Sequence, residues 1–178
     1  DGPITVGGWS PKNDNGQYAG PIPIRRAIAQ SINTVAVRLN QSIGKGTAID
    51  LAQRLGVKSE LHDGPSLALG TSEVTLMEMA GAYASFSNGG HPVTPHAITR
   101  VTTESGRVLF QYEPPANVQP IAEAERIGAL NDMLNGAVVY GTGKRAALAD
   151  RPVAGKTGTT QDFRDAWFMG YTAQLTAG

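Results

Sequence analysis

Glycine and proline punctuation constrains this chain more than any other feature. The 22 glycines and 11 prolines cut its 178 residues into short pieces, and the apolar period changes from piece to piece. Early pieces repeat at helical spacing. Ile24, Ala27, Ile28, Ser31, Val35 and Leu39 follow Pro23, a good first-turn residue, and predict one amphipathic helix over 24–42 that ends near Gly44-Lys45-Gly46. A shorter helix is expected over 48–55, stopping at Gly56, and another from Leu76 through Met79, Ala80, Tyr83 and Ala84, closed by Asn88-Gly89-Gly90. The small residues Ala80, Gly81, Ala82 and Ala84 point to tight packing of that helix. Pro65 to Thr75 between them reads as a loop, and residues 1–23 as an irregular segment pinned by Trp9 and Tyr18.

Later pieces alternate instead. Residues 97–103 and 107–112 flank Ser105-Gly106 and predict a hairpin. Helical spacing returns over 123–139 (Ile127, Leu130, Met133, Leu134) and stops at Gly141-Thr142-Gly143. Short strands are expected at 152–158, 165–172 and 174–177, joined by turns rather than crossovers. Helices first and turn-linked strands last indicate an α+β fold with an antiparallel sheet.

Charge removes several functions. Lys plus Arg and Asp plus Glu number 15 each, with no block of either sign, so a nucleic-acid footprint and a polybasic membrane patch are both missing. Without cysteine there is no disulfide, thiolate metal site or thiol nucleophile. His62, His91 and His96 do not share a helical i, i+4 spacing or an HExxH pattern, and read as surface or loop residues; no metal or cofactor is expected.

Two short motifs can carry chemistry. Lys156-Thr157-Gly158-Thr159-Thr160 falls on an expected strand, where a lysine flanked by hydroxyls can bind an anion and a glycine lets a ligand approach the backbone. Ser31-Ile32-Asn33 falls in the first helix and alone is only a polar spot on a helix face. Residues two apart do not share a face of a regular helix, so joint action of Ser31 and Asn33 needs a helix start or a loop between them. Trp167 and Phe168 read as core and cleft wall, while Arg164 and Asp165 carry no assignment. The 141–143 turn lacks the Lys-Ser/Thr ending of a phosphate-binding P-loop.

Ser-x-x-Lys, Ser-x-Asn and Lys-Thr-Gly occur together in penicillin-binding proteins and serine β-lactamases. This sequence resembles the class A, bifunctional penicillin-binding proteins along nearly its whole length. The resemblance runs from Trp9-Ser10-Pro11 and Ile24-Arg25-Arg26-Ala27-Ile28 through Ser66 to Leu76 and Ala82 to Gly90. It continues through Gly141-Thr142-Gly143 and Gly155 to Thr160, and ends with Asp165-Ala166-Trp167-Phe168-Met169-Gly170-Tyr171-Thr172.

The resemblance implies a five-stranded antiparallel sheet flanked by helices, beside a helical subdomain, with the site between them. The implied chemistry is acyl transfer through a serine ester. A D-Ala-D-Ala stem peptide is the donor, an amine on a neighbouring peptidoglycan stem is the acceptor, and β-lactams trap the ester. Ser31 and Lys156 are the expected catalytic residues, with Ser31 relaying a proton. Asn33, Thr157, Gly158 and Thr159 are the expected substrate-binding residues. Lys156, Thr157 and Thr159 would take the donor carboxylate, the Thr159 N–H would form half of an oxyanion hole, and Asn33 would hold a substrate amide.

The nucleophile motif is expected upstream of residue 1. The textual match Ser42-Ile43-Gly44-Lys45 follows Ser-x-Asn instead of preceding it and sits at a helix end. Residues 1–178 therefore read as a partial transpeptidase domain, incomplete at both ends, inactive alone, and in need of its missing half or of self-association to cover exposed core. A periplasmic setting on a membrane-anchored parent is implied. The competing readings are a non-catalytic muropeptide- or β-lactam-binding regulator and a piece of a serine β-lactamase.

Overall fold

The computed structural model describes residues 1–44, 46–160 and 165–178. The helices are α1 (Ile24–Ala29), α2 (Asn33–Ile43), α3 (Thr47–Arg54), α4 (Leu76–Ser87) and α5 (Ala124–Val139). Single 3₁₀ turns lie at Pro65–Leu69 and Lys144–Ala146. The strands are β1 (Arg100–Thr102), β2 (Val108–Gln111), β3 (Ala154–Thr159), β4 (Ala166–Tyr171) and β5 (Thr176–Ala177). β3, β4 and β5 form one antiparallel sheet in that order, and β1 with β2 forms a separate hairpin with exposed strands. The α+β class agrees with the sequence. The described sheet has three strands rather than five. Among the described residues no helix is long and apolar enough to cross a membrane.

The core lies between α4, α5 and the sheet. Leu134, Ala154 and Tyr171 are buried together, with Ile28, Tyr83, Phe86 and Leu130 packed around them. Each large apolar side chain buried here stabilises by about 1.5–3 kcal/mol. Tyr171 Oη donates to Asn131 Oδ1 at 2.7 Å, so its hydroxyl is not stranded. Ile28 roots α1 in this core, three residues before Ser31.

Two expectations need correction. The single helix over 24–42 is two helices. α1 ends at Ala29, Ser31 adopts φ +55°, Ile32 is extended, and α2 begins at Asn33. No glycine or proline marks that break. The opening segment is held by polar groups and not by Trp9 and Tyr18, which are 37% and 40% exposed. Buried Asn13 donates to Asp1 Oδ1 and the Gln17 carbonyl, and its Oδ1 accepts the Thr34 N–H. Thr34, also buried, donates its hydroxyl to Asp1 Oδ1 at 2.7 Å. α2 has no side-chain cap of its own, so Asn13 caps it from 21 residues away.

Candidate active site

Ser31 stands at a helix end built like a glycine turn. Its N–H donates to the Ile28 carbonyl at 3.1 Å and the Ile32 N–H to the Ala27 carbonyl at 3.0 Å. This pair of bonds makes a Schellman motif, with Ser31 at the left-handed position that glycine commonly fills. A side chain there costs about 1–2 kcal/mol, and such strain persists only where surroundings enforce it. The turn projects Ser31 from α1 and lets Asn33 open α2, so the two are not held on one continuous helix.

On the sheet, the phase of β3 is set at its end. The Thr160 N–H donates to the Asp165 carbonyl at 3.0 Å, and the register pairs Thr159 with Ala166 and Lys156 with Met169. Antiparallel alternation then directs Gly158, Lys156 and Ala154 toward β4 and turns the N–H groups of Thr157 and Thr159 outward. The Val153 carbonyl, in the outward phase, accepts from Asn135 Nδ2 of α5 at 2.8 Å. Further along the same side, at the exposed Thr159 end, no described strand covers the edge.

Lys156 shares its face of the strand with Ala154 and thus with the core, on which α1 also rests. Its Nζ donates to Ser31 Oγ at 2.8 Å and to the Thr157 carbonyl at 2.9 Å, joining residues 125 apart in sequence. Burial, by stripping water from the ammonium, holds Lys156 below the ordinary lysine range. Because Lys156 occupies a lone pair of Ser31, the Ser31 O–H is left to donate elsewhere. A solvated edge lysine does not describe this residue.

The structure thus unites Ser31 with Lys156 and its strand, including Thr157, Gly158 and Thr159. Asn33 opens the adjoining helix, where its Nδ2 donates to the Lys12 carbonyl at 3.0 Å. Phe168 lies over Gly155 and Gly170, where an added Cβ would meet its ring. Trp167, 36% exposed, faces Gly158 across the strand pair as a wall and not as core. Ser42 Oγ donates to the Leu39 carbonyl within its own helix, while Lys45 and Arg164 lie outside the described residues. Among the described residues no three acidic, His or Cys side chains gather as a metal site.

One participant is not legible in the sequence. The turn 141–143 is more than a helix end. The Thr142 N–H donates to the Ala29 carbonyl at 3.0 Å, and Thr142 Oγ1 shares a 2.6 Å hydrogen bond with Thr157 Oγ1. Gly141 is pressed so closely on Ala29 that any Cβ would collide with that carbonyl. The available signal is the Gly-Thr-Gly text itself, which reads as a stop and hides the close approach.

Comparison with known proteins bears on the family and the fold. The family model for the penicillin binding protein transpeptidase domain matches residues 1–177. The chain is 39% identical over 187 residues to penicillin-binding protein 1A of Neisseria cinerea, covering 98% of this chain and 23% of the relative. It superposes on the crystal structure of penicillin-binding protein 1A from Haemophilus influenzae with a TM-score of 0.86 at 29% identity, covering 98% of this chain and 32% of that one. It also matches the PonA1 protein from Mycobacterium tuberculosis in complex with penicillin V, with a TM-score of 0.84 at 26% identity and coverage of 98% and 51%. The chain thus spans about a quarter of the length of such curated relatives.

Proposed function

The chain belongs to the penicillin binding protein transpeptidase family, and from that premise we propose that it forms the carboxylate-binding half of a serine D,D-transpeptidase site. The reaction is peptidoglycan crosslinking through an acyl-enzyme on a D-Ala-D-Ala stem peptide, and β-lactams occupy the same site. The setting is outside the cytoplasmic membrane. The observation that carries this reading is the 2.8 Å bond from Lys156 Nζ to Ser31 Oγ. It brings together two motifs from opposite ends of the chain at an uncovered strand edge.

The placement supports a role for each residue. A donor peptide laid along β3 puts its terminal carboxylate near the Lys156 ammonium and the Thr157 and Thr159 hydroxyls. An anion held by a cation and hydroxyl donors is bound more strongly than by neutral groups alone. The outward N–H of Thr159 is preorganised to receive the oxyanion that develops when the carbonyl is attacked. Gly158 keeps the strand bare for that approach. Ser31 takes a hydrogen bond from Lys156 and keeps its own proton to hand on, which suits a relay to the leaving amine. The depressed Lys156 lowers the cost of moving a proton through this pair. Asn33 is the substrate-amide contact at the opening of α2.

The nucleophile is not among these residues. The one Ser-x-x-Lys text, Ser42 to Lys45, follows the Ser31-x-Asn33 motif, and Ser42 Oγ is bonded to the Leu39 carbonyl of its own helix. We assign it to a Ser-x-x-Lys segment preceding residue 1. This chain alone then takes no covalent label from a fluorescent penicillin, read by intact mass, while a longer gene product carrying that segment takes one. In the longer product, Lys156→Gln slows labelling by about 10- to 100-fold, the loss of one charge-assisted hydrogen bond. An adduct on Ser31 or Ser42 of the isolated chain would overturn the assignment.

A further inference from the structure

We infer that Thr142 is a positioning residue that sets the Ser31–Lys156 bond by gripping both partners' segments at once. Its main-chain N–H holds the Ala29 carbonyl, two residues before Ser31. Its hydroxyl holds the Thr157 hydroxyl, one residue after Lys156. The contacts close a ring: Ser31 Oγ to Lys156 Nζ, along β3 to Thr157 Oγ1, across to Thr142, and back through Ala29 and the α1 turn to Ser31.

Each member of the ring lacks a purely local reason to be where it is. Helix ends leave carbonyls without intrahelical partners. In the α1 turn the Ile28 and Ala27 carbonyls take the Ser31 and Ile32 N–H groups, and the Ala29 carbonyl goes to Thr142. In the α5 turn the Thr142 N–H could serve its own helix. It is spent on α1, and the Gly143 N–H caps the Ala137 carbonyl at 2.9 Å instead. Gly141 makes this exchange possible by letting the two helix ends touch. The hydroxyl then adds direction. When Thr142 donates to Thr157, the Thr157 proton is free for an anionic ligand, so one bond both fixes the strand and orients a substrate contact.

Thr142 is exposed and its hydroxyl is the only part that Thr142→Val removes, since valine keeps the branch and the N–H. The test begins on this 178-residue chain with ¹⁵N-lysine NMR, following hydrogen exchange of the Lys156 ammonium, assigned through Lys156→Gln. Thr142→Val speeds that exchange roughly tenfold, in keeping with one neutral hydrogen bond lost from the ring. Thr142→Ser restores it. Thr157→Val cuts the same bond from the other side and gives the same loss, with no further loss in the double variant. Unchanged exchange in Thr142→Val, failure of serine to restore it, or full additivity of the two valine variants would each overturn the inference.

A second arm uses the full-length protein and rests on the transpeptidase reading. There Thr142→Val lowers the limiting penicillin acylation rate about tenfold, and Thr142→Ser recovers it. An unchanged rate overturns the positioning role. Full-length wild-type protein that takes no penicillin sinks the transpeptidase reading instead, and the lysine exchange still decides the clamp.

Discussion

The α1–α2 junction and α4 carry the same apolar spacing, yet one is broken and the other is whole. α4 contains its own instructions. Thr75 and Glu78 form a reciprocal capping box at its start. At its end the Gly90 N–H returns to the Ser85 carbonyl at 2.8 Å, with Gly89 and Gly90 both at positive φ. The junction has none of this. Its left-handed residue is a serine, its second helix is capped by distant Asn13, and its Ala29 carbonyl is satisfied by Thr142. Local caps mark both ends of α4, with Glu78 tied in addition to Lys58 and Ser59, whereas the turn that presents Ser31 carries no such local cap and depends on contacts from about 20 to over 100 residues away.

If that division is right, the junction breaks most readily from outside. Gly141→Ala drives a methyl group into the Ala29 carbonyl and the backbone of Ala137, neither of which is a flexible side-chain end. We expect a loss of about 3 kcal/mol or more, beyond ordinary overpacking because backbone must move. Denaturant unfolding gives the number. A cost below about 1 kcal/mol would mean that the two helix ends are not held together as described.

α4 breaks from within, and its weak point titrates. Glu78 Oε1 accepts the N–H groups of Lys58 and Ser59, and Oε2 accepts the Thr75 N–H and the hydroxyls of Ser59 and Thr75. These bonds, the Thr75 backbone first, hold its carboxyl well below the usual carboxylate range. A depressed folded value means that the ion adds stability above the unfolded value of about 4.5 and loses it as pH falls below that. Glu78→Gln therefore lowers the melting temperature by several degrees at pH 7, and the gap narrows steadily below about pH 4.5. A gap that is constant with pH would assign the effect to packing.

The same division explains what can be read from sequence. The type and order of α3, α4, α5 and the three final strands are legible, with ends off by one or two residues, because periodicity and glycine stops are local. So is the Lys156 strand. The break at 30–32 is not, since Gln30-Ser31-Ile32 offers no breaker; only the demand that Ser31 and Asn33 act together hints at it. Thr142 is invisible for a related reason. Its partners, Ala29 and Thr157, are 113 and 15 residues away, and a Gly-Thr-Gly stop looks alike whether or not it touches another helix. The anchoring of residues 1–23 misleads because aromatic residues suggest burial, while Asn13 and Thr34 are buried through complete hydrogen bonding.

The smallest effect gives the sharpest contrast, because its sign changes between the two regions. Glycine in place of alanine inside an ordinary helix costs about 1 kcal/mol, and Ala80→Gly in α4 should show that loss. At position 31 the backbone is left-handed, so a Cβ is the burden and glycine relieves it. Ser31→Ala and Ser31→Gly both remove the hydroxyl that Lys156 contacts, so their difference isolates the backbone. We expect Ser31→Gly to be the more stable of the two by about 0.5–1 kcal/mol, part of the relief being offset by glycine's freer unfolded chain. Both variants should lose the Lys156 bond equally. If Ser31→Ala proves the more stable, the turn at 31 is not strained, and the serine sits there by local preference and not because distant contacts hold it.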